Sequence, residues 1–143
     1  MKVLIASVDF DKTHLIRRKT ISYEGLFKSN ICSGNVYFVP YDKDPNTLKP
    51  GKYISVETDI ESVEGLEILP HVSEPKMIAL EKPFSYEMIG KVVQNSDNTV
   101  FDIDIDDLPI AIDIEETNGV VLEKGNWIKF IVHGLSLWDE NIY

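Results

Sequence analysis

The chain of 143 residues has a single cysteine, Cys32. An internal disulfide is excluded, so the fold must rest on its apolar core, and the expected setting is a reducing one, the cytoplasm. No run approaches the roughly 20 apolar residues that a membrane-spanning helix needs. The opening apolar run is short, stops at Asp9 and lacks a small-residue cleavage site, so it reads as a first strand rather than a leader. Positive charge is scarce: 14 Lys and Arg face 24 Asp and Glu, a net −10. Such a chain repels phosphate backbones and anionic membranes, so neither nucleic acid nor membrane is an expected partner. Nucleophile elbows and glycine-rich phosphate loops are missing too. His14, His71 and His133 are scattered without a partner spacing. No catalytic residue, cofactor or metal set is assigned, and the chain is not expected to be an enzyme.

What the chain does have is a globular balance, 43% hydrophobic and 27% charged, in a length that suits one compact unit over residues 1–143. Apolar residues alternate with polar ones, and no window of a dozen residues shows a helical stripe, which predicts an all-β protein. In Val100 to Asp106, Phe101, Ile103 and Ile105 alternate with Asp102, Asp104 and Asp106. After Pro109, Ile110, Ile112 and Ile114 share one strand face. Asn118-Gly119 signals a hairpin leading into Val120 to Leu122, and Trp127 to Val132 reads as a central strand. Earlier strands are expected at Lys2 to Val8, Thr20 to Glu24, Val36 to Tyr41 and Lys52 to Ile60. Short helical turns are placed at Ser22 to Ser29 and Phe84 to Ile89.

Two halves, 1–69 and 84–143, are separated by a proline-bearing connection, 70–83. Leu48 to Val56 aligns without gaps on Leu122 to Phe130, and Val36 and Phe38 fall on Ile110 and Ile112. Ser22-Tyr23-Glu24 also recurs as Ser85-Tyr86-Glu87 in another register. The pattern fits either a duplication or convergent β patterning. Within 86–138, Met88-Ile89-Gly90-Lys91-Val92-Val93, the alternating strand at Phe101, and Leu122 to Phe130 with Gly125 resemble small Greek-key barrels of the OB-fold kind. The resemblance implies an antiparallel barrel. Its families bind single strands on an aromatic, basic face, whereas here that face carries Asp102, Asp104 and Asp106.

Charge is uneven. Residues 1–71 hold 9 basic and 10 acidic residues, while residues 72–143 hold 5 and 14. From Asp97 to Glu116 there are eight acids and no base. Asp102, Asp104, Asp106 and Asp113 have a calcium-loop spacing, but Asp107 stands where that loop needs glycine. The acidic stretch reads as a solvated face that blocks edge pairing, or as a surface for a basic protein. Arg17-Arg18-Lys19 reads as a solvated loop, facing the acidic strands. The leading expectation is an acidic binding module, an inhibitor or immunity-type protein that neutralises a basic, nuclease-like toxin. Asp102, Asp104, Asp106, Asp107, Asp113, Glu115 and Glu116 would form its contact surface, with an aromatic anchor from Trp138, Tyr143, Phe101 or Tyr86. The rivals are an assembly module of a phage or secretion complex, and an enzyme with a dispersed site.

Overall fold

Period-2 alternation resolves into eleven strands in the computed structural model, which describes residues 2–97 and 99–141. They are β1 (Lys2–Ile16), β2 (Thr20–Lys28), β3 (Ser33–Val39), β4 (Tyr53–Asp59), β5 (Ser62–Ile68), β6 (Lys76–Ala79), β7 (Tyr86–Ser96), β8 (Val100–Ile105), β9 (Leu108–Asp113), β10 (Trp127–His133) and β11 (Ser136–Asp139). The protein is all-β. β1, β2, β3, β11 and β4 close a five-stranded barrel, and β5, β10, β7, β8 and β9 form a second sheet, with β6 paired to β7. One continuous apolar core joins them, from Val3, Phe38 and Leu137 in the barrel to Ile103, Ile110 and Phe130 in the sheet.

Several local expectations are corrected. Ser22 to Ser29 and Phe84 to Ile89 are not helical: Ser22 to Lys28 lies in β2, and Tyr86 to Ile89 begins β7. β1 runs on past Asp9, because residues 9–16 form an extended, mostly polar arm paired with β2, with a bulge between Asp9 and Thr13. The stretch 70–83 is not bare connection, since it contains β6. Asn118-Gly119 adopts positive φ (51° and 81°) but closes no hairpin; it follows the 3-10 turn Ile114–Thr117, and Val120 to Leu122 form no strand. Ile114, expected in the core, lies in that turn and is 47% exposed. The two-residue hairpin falls instead at Asp106-Asp107 (φ 51° and 70°), between the paired Ile105 and Leu108. Both central residues are left-handed, as a turn matching the strand twist requires, and Asp is among the residues that tolerate this.

The barrel-like sequence pattern lies in 86–138, but the closed barrel comprises strands from residues 2–59 together with β11. A shift of 74 residues relates the two regions. β4 falls on β10, and β3 on residues 107–113, which contain β9. Gly51 and Gly125 both have positive φ (88° and 96°). The Gly51 N–H bonds the Ile5 carbonyl at 2.8 Å and Ile5 N–H bonds the Lys52 carbonyl at 2.9 Å. Gly125 and Asn126 repeat that pair with Val92, at 2.7 and 2.8 Å. The fifth strands obey the same shift with a twist: each pairs with the other region's fourth strand. β11 pairs with β4 through Ser136–Asp59, Leu137–Thr58 and Trp138–Glu57. β5 pairs with β10 through Ser62–His133, Val63–Val132 and Glu64–Ile131. The Ser22 and Ser85 triplets fall at β2 and at the start of β7, which are not counterparts.

Candidate functional site

The acidic residues separate into two groups. Asp102 and Asp104 project from the outer face of β8, opposite the buried Phe101, Ile103 and Ile105. Asp106 and Asp107 form the adjoining turn, where the Asp104 carboxylate accepts the Asp107 N–H at 3.1 Å. The sheet also supplies a base that linear reading missed, since Lys91 of β7 lies directly across from Asp104. Further along the same outer face, Lys129 sits 3.9 Å from both Glu67 and Glu87. The negative field is therefore compensated towards the sheet centre and concentrated at the β8–β9 end.

Asp113 and Glu116 belong to the second group. Glu116 accepts the Asp113 N–H at 3.3 Å, which secures the start of the 3-10 turn, and Glu115 is exposed beside them. Asp113 and Glu116 also line a cleft of about 510 Å³ whose other walls include His14, Arg17, Arg18, Asp59 and Glu61. The basic turn thus does face acidic residues. Arg17 pairs with Asp59 at 2.9 Å, and His14 Nε2 bonds Glu61 at 3.0 Å. Gly134 closes one wall at φ 66°, where a Cβ would lie 2.4 Å from the Glu61 side chain. A Cβ there is strained by conformation and would push aside the exposed Glu61 side chain that bonds His14.

Trp138 does not join the acidic hairpin. It is half-buried on the barrel, donates from Nε1 to Ser136 Oγ at 3.0 Å, and lines a cavity with Arg17, Lys19, Glu57 and Asp59. Phe101 and Tyr86 are 3% and 1% exposed, so neither can act as a surface anchor. Tyr143 lies outside the described residues. The Tyr86 hydroxyl instead donates to the Asn35 carbonyl at 2.6 Å, and its pKa is raised, first by burial and then by Cys32. Burial likewise raises the Cys32 thiol.

Two constellations arise only from folding. His14, Tyr37 and Phe84 form an aromatic stack, with ring centroids 4.2 and 4.1 Å apart and planes within 17°. Phe84 holds φ 62°, a left-handed conformation that is unfavourable for a bulky residue. The Tyr37 phenol is raised above its ordinary pKa by burial, then by the fields of Glu61 and Glu24. Separately, Ser85 Oγ lies 2.7 Å from His133 Nδ1, whose Nε2 lies 3.2 Å from Glu64. That sequence of groups has the order of a nucleophile, base and orienter. Ser85 is 2% exposed, however, and Glu64 is a solvent-facing carboxylate, so the chain is built as a latch tying β5, β10 and the start of β7. Among the described residues, no three His, Cys, Asp or Glu are gathered to hold a metal ion, and no helix is long and apolar enough to cross a membrane.

No protein-family model, curated protein or solved structure matches the chain.

Proposed function

We propose that the protein is an acidic binding module that captures a basic protein with its β8–β9 hairpin, in the manner of an inhibitor or immunity protein against a nuclease-like toxin. The observation that carries this reading is the grouping of Asp102, Asp104, Asp106 and Asp107 on one hairpin, with Lys91 as the base directly opposite. Nucleases need cationic clefts to hold phosphate, and an acidic hairpin competes for those cations. Long-range attraction would raise the association rate to roughly 10⁸ M⁻¹s⁻¹ or above at low salt. The barrel, five strands closed with β11 parallel to β3, is read as an OB-type Greek-key barrel put to protein rather than nucleic-acid recognition. Cys32, half-buried and with a raised pKa, suits a cytoplasmic setting.

A second reading, an assembly module, is favoured by the local duties of the acids: Asp104 accepts the Asp107 N–H and Glu116 that of Asp113. Capture of basic proteins on immobilised wild type and on an Asp102→Asn/Asp104→Asn variant, at low and high salt, separates the two. A partner lost both in high salt and on the variant supports the inhibitor reading. A partner retained under both conditions supports the assembly reading.

A further inference from the structure

The aromatic stack ends at a cavity that the acidic hairpin does not share. On the outer face of β1 to β3, a cavity of about 610 Å³ is lined by the Phe84 ring and by Asp9, Asp11 and Glu24, with Lys12 as its single base. Asp9, Asp11 and Glu24 form no ion pair with a described residue; the ion pairs of His14, Arg17, Lys129 and His133 use Glu61, Asp59, Glu67, Glu87 and Glu64. The Phe84 ring is held against Tyr37 despite its left-handed backbone, and packing over-determines such a conformation only where the surrounding structure insists on it.

We infer that this cavity takes a guanidinium group, an arginine side chain presented by the basic partner, stacked on Phe84 and bonded to Glu24 or the Asp9–Asp11 carboxylates. The inference rests on the reading of the protein as a binder of a basic partner. An arginine fits better than a lysine, because a planar guanidinium can stack on a ring while offering paired N–H groups to a carboxylate in the same plane. Beyond burial, the Tyr37 phenol is pushed up by the charges of Glu61, which sits at the His14 end of the stack, and of Glu24, which lines this cavity. A cation over the stack is favoured by those charges as well as by the quadrupole of the rings.

The test is a ¹H–¹⁵N titration of the full chain with Nα-acetyl-arginine amide, using the neutral isostere Nα-acetyl-citrulline amide as control. Saturable shifts at Glu24, Asn35 and Phe84 with the arginine compound, and none with citrulline, are expected. Phe84→Leu and Glu24→Gln should each weaken binding roughly fivefold. Glu24→Gln keeps the backbone strain out of the comparison. Equal shifts from citrulline, no shifts at all, or undiminished binding by a folded Glu24→Gln variant would overturn the assignment. The Asp102→Asn/Asp104→Asn variant should still bind the arginine compound. Partner capture lost on that variant, with arginine binding retained, upholds both readings as separate contacts. Partner capture retained by wild type without any arginine binding removes this site alone.

Discussion

The two regions of this molecule use strands of matching spacing to opposite ends. In residues 2–59, four strands close into a barrel because β11 lies parallel to β3 and antiparallel to β4. In residues 86–133, the counterpart strands remain an open sheet, since β5 pairs with β10 but forms no ladder with β9. The difference traces to single residues. β11 brings Leu135 and Leu137, both fully buried, to the barrel; the residues 74 positions earlier are Glu61 and Val63. A strand led by Glu61 would carry a charge into the barrel, so β5 stays at an edge with only Val63 and Leu66 against the core. The open edge of β9 is partly covered instead, by Thr58 Oγ1 donating to the Pro109 carbonyl and by the 3-10 turn Ile114–Thr117 against β5. Closure pairs every barrel strand on both sides, and openness leaves the acidic hairpin at a free end.

The strongest way to break this contrast is a charge in the shared core. Ile103→Asp should abolish folding, because burying an unpaired carboxylate exceeds the roughly 5–15 kcal/mol a domain has to lose; a cooperative thermal transition in that variant would contradict a single joined core. Truncating the fifth strands sharpens the asymmetry. Leu137→Ala should cost about 2–5 kcal/mol, against roughly 1–1.5 kcal/mol for the less buried Val63→Ala, read by denaturant unfolding. Equal losses would mean that β5 and β11 carry equal packing. At the two crossings, Gly134→Ala should cost more than Gly125→Ala. Both lose left-handed freedom, about 1–2 kcal/mol, but only Gly134 adds a collision with Glu61; nothing lies within 4 Å of a Cβ at Gly125.

Alkaline pH probes the join between the regions. Tyr86 is neutral and bonded to Asn35 across it, and its folded-state pKa lies above the ordinary value near 10. A raised folded pKa gives stability that is present below the unfolded pKa and lost as pH climbs towards the folded one. Stability should therefore fall above about pH 10. Tyr86→Phe should lower stability at neutral pH by about 1 kcal/mol while flattening that alkaline decline. The smallest effect is expected at the hairpin: Asp102→Asn/Asp104→Asn should change stability by no more than about a few tenths of a kcal/mol, because relief of like charges on one strand face is offset by loss of the charge opposite Lys91. A large loss would assign those carboxylates to the fold rather than to a partner.

Much of the fold was legible where one face is buried. Phe101, Ile103, Ile105, Ile110 and Ile112 alternate cleanly because their strands bury one side, and the Leu48 and Leu122 segments match because both lead through a left-handed glycine into a fourth strand. Other features lay beyond sequence patterning. The arm of β1 after Asp9 lacks a regular apolar alternation, with Phe10, Leu15 and Ile16 scattered among polar residues, so its strand character is visible only in its pairing with β2. Asn118-Gly119 carries the stronger local signal for a two-residue turn, yet the hairpin forms at Asp106-Asp107, because register with a partner strand decides which turn closes one. Of the candidate site, the four hairpin aspartates were visible as a run. The His14, Tyr37 and Phe84 stack was not, since its rings come from positions 14, 37 and 84; left-handed φ at a phenylalanine has no signature in composition. Trp138 was misplaced because β11, sequentially part of the second region, is spent in closing the first.

Reciprocal completion of the two regions is tested most directly by cutting the chain after the exposed Val72. Fragments 1–72 and 73–143 are prepared separately and mixed, and cooperative unfolding is followed by circular dichroism and by chemical-shift dispersion. Each fragment alone should lack a cooperative transition, because one lacks β11 and the other lacks β5, and the mixture should recover the dispersion of the intact chain. Fragment 1–72 folding cooperatively by itself would contradict the account, for it would show that β5 can close the barrel in place of β11.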